Sequence, residues 1–104
     1  MANYSIYCPI ELREQVWLKA GHEPNNLTVR YSLSCDEKLW QQAQGKSGYI
    51  SMSRLMRTLW QMWLDGQIVI EGFNGFITIT DLTTWLLTMY VNDEIEINRE
   101  DWVR

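Results

Sequence analysis

The amino-acid sequence predicts a single α+β domain that contains a repeated strand–helix unit. Residues 3–21 and 30–48 are identical at seven positions when one stretch is aligned with the other. In both stretches apolar residues first alternate with polar ones, as in a strand, and then recur at the spacing of a helix. A long apolar helical pattern then starts near residue 51, and an Asn-Gly pair lies between alternating apolar residues, as in a β-hairpin. Strands and helices in this order indicate an α+β fold.

The length of 104 residues is that of one domain with a modest core. We divide this domain into an N-terminal strand–helix unit (residues 1–26), a strand–helix–helix core (residues 27–66) and a C-terminal part (residues 67–104). The C-terminal part is predicted to contain a hairpin, a helix and an acidic tail.

The N-terminal unit begins with a strand in which Tyr4, Ile6 and Cys8 share one face. The other face carries Asn3, Ser5 and Tyr7. Pro9 suits the first turn of the helix that follows, because a proline there costs no backbone hydrogen bond. Gly21 ends this helix.

The second strand places apolar and polar residues on opposite faces. Its apolar face carries Val29, Tyr31, Leu33 and Cys35, and its polar face carries Thr28, Arg30, Ser32 and Ser34. Ser34 and Glu37 match a capping box at the start of a helix that runs to about Gly45. Beyond this helix the two copies are predicted to diverge, since only the second continues directly into another helix.

The long central helix is predicted between a serine cap and Gly66. Ser51 or Ser53 can accept hydrogen bonds from its first N–H groups. Apolar residues surround the helix almost completely, which is typical of a helix at the centre of a core. Its polar side carries two arginines, Arg54 and Arg57.

The C-terminal part is predicted to open with a β-hairpin that turns at Asn74 and Gly75. Asp81 can cap a last helix over about residues 82–90. Residues 94–98 alternate as in a short strand. The last six residues are expected on the surface.

Charge and residue types limit the classes of function. The net charge is −4, yet residues 27–66 carry five basic and three acidic side chains, so a weakly basic middle lies between acidic ends. His22 is the only histidine and lies in a predicted surface loop, and no C-x-x-C pair is present. We therefore expect no metal site, no cofactor and no enzymatic activity.

No apolar run approaches the roughly 20 residues needed to span a bilayer. The N-terminus also lacks the basic and apolar segments of a secretory signal. We therefore expect a cytoplasmic protein without a membrane segment. In that compartment Cys8 and Cys35, which are equivalent in the repeat, are predicted to be reduced, packed thiols.

Residues 28–64, "TVRYSLSCDEKLWQQAQGKSGYISMSRLMRTLWQMWL", resemble the ribbon–helix–helix family of DNA-binding proteins. The similarity lies in the order strand, helix, short loop and a helix that opens with S-x-S-x-L-x-R. In that family two chains pair their strands into an antiparallel ribbon that enters the major groove, and their helices interlock. The resemblance therefore implies a homodimer that binds double-stranded DNA as a transcriptional regulator, such as a repressor.

The resemblance also implies roles for residues of the core. On the ribbon, Arg30, Ser32 and Ser34 would contact base edges, and Arg30 can donate two hydrogen bonds to guanine. The start of the second helix, at Ser51 and Ser53, would hold a phosphate on its free N–H groups.

Lys46 or Arg54 would reach the neighbouring DNA backbone. The chain departs from the family because a strand–helix unit precedes the ribbon strand and a further part follows the core. The added N-terminal unit would either add a strand beside the ribbon or mimic half of the ribbon within one chain. Either arrangement would change how a dimer forms and could cover the side of the ribbon that faces the groove. In antitoxins and co-regulators of that family the added segment binds another protein, so the acidic C-terminal part is a candidate site for a protein partner.

Residues 53–80, "SRLMRTLWQMWLDGQIVIEGFNGFITIT", also resemble the last helix and wing of a winged-helix domain, which is the alternative fold. The wing tip lacks Lys and Arg, and the helix is too apolar to leave much of a face for a DNA groove. The alternative function is an acidic protein-interaction module (antitoxin-like, an adaptor or a small inhibitor of another protein) without DNA binding. An acidic surface attracts basic partners.

Overall fold

The computed structural model describes all 104 residues and has an α+β architecture. Two strands and four helices form it: β1 (Ala2–Tyr7), α1 (Ile10–Lys19), β2 (Arg30–Cys35), α2 (Glu37–Ser47), α3 (Met52–Leu64) and α4 (Ile79–Val91). A 3₁₀ turn, Arg99–Asp101, precedes the C-terminus. No helix here combines the length and the apolar composition of a membrane-crossing segment.

The two strands pair with each other as an antiparallel ribbon within one chain. Ala2 lies opposite Cys35, and Tyr7 lies opposite Arg30. The predicted alternation is confirmed within the strands, because Ile6 and Leu33 on the inner face are buried while Ser5 and Ser32 on the other face are exposed. Val29, predicted on the inner face, lies before β2 and is exposed. The N-terminal unit therefore pairs beside the ribbon strand and does not cover its outer face.

The starts of the helices are set by side chains that cap their free N–H groups. The predicted capping box of Ser34 and Glu37 is wrong, because the Asp36 carboxylate accepts the hydrogen bond from the Leu39 N–H at 3.0 Å. Ser34 is instead engaged across the ribbon. Of the two candidate caps for α3, Ser51 is the one that the structure uses.

The predicted hairpin at residues 67–78 is wrong, since this segment forms an irregular loop without strands. Within the segment the Phe73 N–H donates to the Ile70 carbonyl at 3.2 Å, and the Ile77 N–H donates to the Ala20 carbonyl just after α1 at 3.0 Å. The Phe73 ring packs edge-on against Trp63, while the Phe76 ring contacts His22. Without strands in this segment there is also no wing of the winged-helix type.

The remaining C-terminal predictions also need correction. Residues 94–98 form no strand, and α4 starts at Ile79 because Thr78, ahead of Asp81, caps it. The last residues are not a free surface tail. The Val103 N–H donates to the Thr58 hydroxyl at 3.2 Å, and Val103 accepts from Arg54 at 2.7 Å. The C-terminal end is thus attached along α3.

The two copies diverge directly after α1 and α2 as predicted, since a loop follows α1 and α3 follows α2, but the correspondence resumes in α3 and α4. At the offset that relates residue 3 to residue 30, the ends of α3, Met52 and Leu64, correspond to the ends of α4, Ile79 and Val91. Helix α3 packs on β1 and α1, and α4 packs on β2 and α2. We call β1, α1 and α3 the first half, and β2, α2 and α4 the second half.

Equivalent residues make equivalent contacts in the two halves. In the first half the Lys19 ammonium donates to the Trp63 carbonyl at the end of α3 and lies 4.4 Å from the ring of Trp63. In the second half Lys46 donates to the Tyr90 carbonyl at the end of α4 and lies 4.5 Å from the ring of Tyr90. Each lysine thus places a positive charge at the negative end of a helix dipole.

The ribbon register places a pseudo-two-fold axis at its centre. Ser5 and Ser32 are equivalent in the repeat, and they lie directly opposite each other. The inner side chains of both strands, together with the inner sides of the four helices, form one core of 23 buried residues that includes Leu59, Trp60 and Leu86. Because this core is shared, neither half has a hydrophobic interior of its own.

Candidate nucleic-acid interface

The outer face of the ribbon is polar and open to solvent. Its side chains alternate with the buried ones and come from both strands: Asn3, Ser5, Tyr7, Arg30, Ser32 and Ser34. All are exposed except Ser34, which is half-buried. The predicted contact residues of β2 therefore share one surface with three residues of β1.

Hydrogen bonds across the ribbon position several of these side chains. The Arg30 guanidinium donates to the Ser5 hydroxyl from Nε at 3.2 Å and from Nη2 at 3.0 Å. The Ser34 hydroxyl donates to Asn3 Oδ1 at 2.7 Å. Ser32 makes no side-chain hydrogen bond within the chain, and its hydroxyl is free to donate or accept. The face therefore presents three amino-acid types that can bond to base edges: an arginine, serines and an asparagine.

The start of α3 lies at one end of the ribbon. The Ser51 hydroxyl accepts from the Arg54 N–H at 3.2 Å, and the Ser53 hydroxyl accepts from the Tyr7 N–H at 3.0 Å. The second of these bonds ties the first turn of α3 to the end of β1. The first N–H groups of a helix have no partner within the helix, and the helix dipole favours an anion there.

The structure does not bring Lys46 and Arg54 to the outer face as free cations. Lys46 is engaged at the end of α4 with the Tyr90 carbonyl and the Asp93 carboxylate. Arg54 donates to the Val103 carbonyl and lies 5.7 Å from the ring of Trp102. Both side chains thus hold the C-terminal part against the helices.

The alternation of β1 predicts its polar face, but the family resemblance assigns DNA contacts only to β2. The pairing of the two strands brings the polar residues of β1 onto the same surface, and Asn3 corresponds there to Arg30 in the repeat. Sequence reasoning missed Arg57. Its guanidinium donates to the Tyr7 carbonyl at 2.7 Å, which places a partly exposed positive charge beside the ribbon end.

The second half offers a different helix start at the equivalent place. Thr78 caps α4 as Ser51 caps α3, with a hydrogen bond of 3.1 Å from the Asp81 N–H. Asp81 stands where α3 has Arg54, and its carboxylate already places a negative charge in the first turn. A phosphate is therefore favoured at the start of α3 and opposed at the start of α4.

The other chemically notable side chains lie away from this surface. Cys8 and Cys35 are free, buried thiols, and burial raises the pKa of the Cys8 thiol to about 11. His22 is not the surface residue that was predicted, since its Nε2 lies 2.7 Å from the Ile77 carbonyl. Because a carbonyl only accepts, Nε2 must carry the hydrogen of this bond.

Comparison of the chain with protein-family models, with curated proteins and with solved structures found no match. What the protein does therefore has to be inferred from its own residues and their geometry.

Proposed function

We propose that this protein is a cytoplasmic, non-enzymatic transcriptional regulator that binds double-stranded DNA by inserting its β-ribbon into the major groove. The observation that carries the proposal is the bare outer face of the ribbon, with Arg30, Ser32 and Ser34 beside the residues of β1. A two-stranded ribbon fits the width of the major groove, where each base pair presents a distinct pattern of donors and acceptors.

The number of strands and helices in the chain supports a ribbon–helix–helix-like arrangement. Two strand–helix–helix chains of that family together contain two strands and four helices, and this single chain contains the same set. The pseudo-two-fold axis between Ser5 and Ser32 takes the place of the axis that relates two chains. One chain therefore supplies a complete ribbon, and a second chain is not needed to form it.

Arg30 is the residue on which base recognition would depend most. Its two donors to Ser5 have the spacing of a bidentate contact, and in the complex they would turn to the two acceptors of a guanine. Ser5 would then be free to bond to a base or a phosphate. Ser32 and Ser34 would add shorter contacts on the same face.

The start of α3 would hold a phosphate at the edge of the groove. Its N–H groups and the Ser51 and Ser53 hydroxyls lie beside the end of β1, and Arg57 lies close to the same end. Lys46 and Arg54 are left out of the proposed contacts because both hold the C-terminal part and neither bonds to the ribbon. Arg57 also donates to the Arg104 carbonyl at 3.1 Å, but its bond to the Tyr7 carbonyl keeps it beside the end of β1. Since Asp81 opposes an anion at α4, we expect the two ends of the ribbon to bind the DNA backbone unequally.

The test is a fluorescence-anisotropy titration with mixed-sequence duplex DNA at about 50 mM and about 200 mM salt. We expect binding that weakens steeply with salt, and a loss of binding in Arg30→Ala. The matched control is Arg99→Ala, which removes one exposed arginine outside the ribbon and changes the net charge equally. Equal effects of the two substitutions, or no binding at the lower salt concentration, would contradict the proposal.

Light scattering of the complex measures how many chains bind each duplex. One chain per site is expected because the ribbon is complete within the chain. Two chains per site would instead support the homodimer that the family resemblance implies.

The second candidate function is an acidic protein-interaction module without DNA binding. It is favoured by the net charge of −4 and by five acidic side chains near the C-terminus, at positions 93, 94, 96, 100 and 101. If DNA binding is absent at low salt while basic proteins are captured by the immobilised chain, this candidate replaces the first.

A further inference from the structure

A cavity of about 380 Å³ opens beside the end of α4. Its apolar lining comes from Tyr90, Ile95, Ile97 and Trp102. Ile95 and Ile97 are only partly buried, although they are the apolar residues of this segment. The cavity lies in the second half and shares no residue with the outer face of the ribbon.

The equivalent place in the first half is filled by an aromatic side chain. There Trp63 takes the position of Tyr90, and Ile68 and Ile70 correspond in the repeat to Ile95 and Ile97. The Phe73 ring packs edge-on against Trp63 at a centroid distance of 5.6 Å. Ile68 and Ile70 are buried, with exposed fractions of 2% and 6%.

The second half has no such ring because the chain departs from the repeat after residue 98. The residue that corresponds to Phe73 is Glu100, which is exposed in the 3₁₀ turn Arg99–Asp101. The chain then continues to α3, where Val103 bonds to Thr58. The second half thus has counterparts of Trp63, Ile68 and Ile70 but none of Phe73, and Trp102 forms part of the wall of a cavity that stays open.

The charges at the mouth of the cavity favour a cationic neighbour. Lys46 and Asp93 form an ion pair with each other. Glu96 also lines the cavity and makes no ion pair. Glu94 and Glu100, which are close to Glu96 in the sequence, are exposed. Excess negative charge around an apolar floor attracts basic groups that flank an apolar one.

We propose that this cavity binds an aromatic side chain from an extended, basic segment of a partner protein. The partner's ring would lie on Tyr90, Ile95 and Ile97 as Phe73 lies on the equivalent residues, and its flanking Lys or Arg side chains would meet Glu96. A buried aromatic anchor in a pocket is the usual centre of binding energy at an interface. The proposal concerns a separate surface and does not depend on DNA binding by the ribbon.

The probe is a capped peptide, Lys-Gly-Phe-Asn-Gly-Lys, which places the protein's own residues 72–75 between two lysines. It is titrated into ¹⁵N-labelled protein, and the amide signals of Ile95 and Ile97 and the indole signal of Trp102 are followed. We expect saturable shifts at these residues, with the ribbon signals unchanged. The control peptide with Ala in place of Phe should bind about tenfold more weakly or not at all.

Two variants test the site from the side of the protein. Ile97→Trp fills the cavity and should weaken peptide binding about tenfold or more, while the control Val69→Trp, at an exposed position of the first half, should leave binding unchanged. Glu96→Lys reverses a surface charge without touching the core, so it tests the charge preference even if Ile97→Trp fails to fold.

Three results would overturn the proposal. The first is no saturable shift with the peptide, and the second is equal shifts with the alanine peptide. The third is unchanged peptide binding both in Glu96→Lys and in an Ile97→Trp variant that folds. A small aromatic amine, phenethylamine, serves as a separate probe. Binding of the amine at these residues without binding of the peptide would also overturn the partner segment, and would indicate a small-molecule site.

Discussion

The two halves of the molecule share a backbone plan but fill equivalent positions with different chemistry. Arg13 on α1 corresponds to Trp40 on α2, and both are buried. The Arg13 guanidinium lies 4.5 Å from the ring of Tyr31, whereas the Trp40 ring stacks on Tyr4 at 4.2 Å with 8° between the planes. Tyr31 and Tyr4 are themselves equivalent, so in each half a planar side chain packs against a tyrosine ring.

This difference shows what the position requires. A planar group is common to both halves, and a charge is present only in the first. Arg13 keeps its charge there by donating to the Thr28 carbonyl, although burial lowers its pKa. The repeat therefore preserves shape and packing, while the surrounding loop decides whether a polar group can be accommodated.

The halves also differ in how they are closed. In the first half the loop of residues 72–77 covers the end of α1, where His22 contacts Phe76 and the Ile77 carbonyl. In the second half the equivalent residue Tyr49 is fully exposed. The loop therefore covers the end of α1 in the first half, whereas the end of α2 around Tyr49 is uncovered.

The largest loss of stability is expected when equivalent leucines of the core are replaced by alanine, one at a time. Leu59 and Leu86 are fully buried on α3 and α4, so each Leu→Ala substitution should lower the free energy of unfolding by about 2–5 kcal/mol. Urea unfolding measures both values. If Leu86→Ala lowered the free energy of unfolding by only a small fraction of the Leu59→Ala value, the second half would contribute little to the core, and the shared core would be refuted.

A smaller but more asymmetric effect is expected at the ends of α1 and α2. Gly21 and Gly48 both have positive φ, at +88° and +66°, so Ala costs about 1–2 kcal/mol at either position. At Gly21 a Cβ would also lie 2.5 Å from the Gly75 carbonyl oxygen, whereas the space around Gly48 is open. Gly21→Ala should therefore be clearly the more destabilising in urea unfolding, and equal costs would mean that the loop does not close on α1.

The smallest effect concerns the two buried thiols and appears only at alkaline pH. Burial raises the pKa of Cys8 from an ordinary 9.0 to about 11, so the unfolded thiol loses its proton before the folded one does. The free energy of unfolding should therefore fall as the pH rises from about 9 to about 11. Cys8→Ala should reduce this slope, measured by urea unfolding at several pH values.

Cys35→Ala is the matched control for that slope. Burial raises the pKa of Cys35 too, and the Asp36 carboxylate raises it further, while a hydrogen bond from the Asp36 backbone partly offsets both by favouring the thiolate, so Cys35 should contribute to the slope with the same sign. An unchanged slope in Cys8→Ala would show that other groups, such as the buried tyrosines, cause the alkaline loss of stability.

Local pattern alone determined the elements of the first two-thirds of the chain. The alternation around Ile6 and Leu33 requires strands with one buried face, and the apolar residues of α3 require a central helix. The repeat of α3 in α4 was harder to recognise, because few identical residues, among them Leu59 and Leu86, survive in it. Alternation also predicts the polar faces of both strands, but only their pairing brings these faces onto one surface.

Only the tertiary structure decided which segments contact each other, because these contacts join residues that are far apart in the sequence. Asn74-Gly75 favours a hairpin locally, yet the loop gains more by burying Phe73 against Trp63 and bonding Ile77 to the end of α1. Lys46 and Arg54 find carbonyls in distant parts of the chain. The sequence thus determined which faces are apolar and which are polar, and the packing of a shared core determined that the ribbon closes within one chain and that the second half stays open.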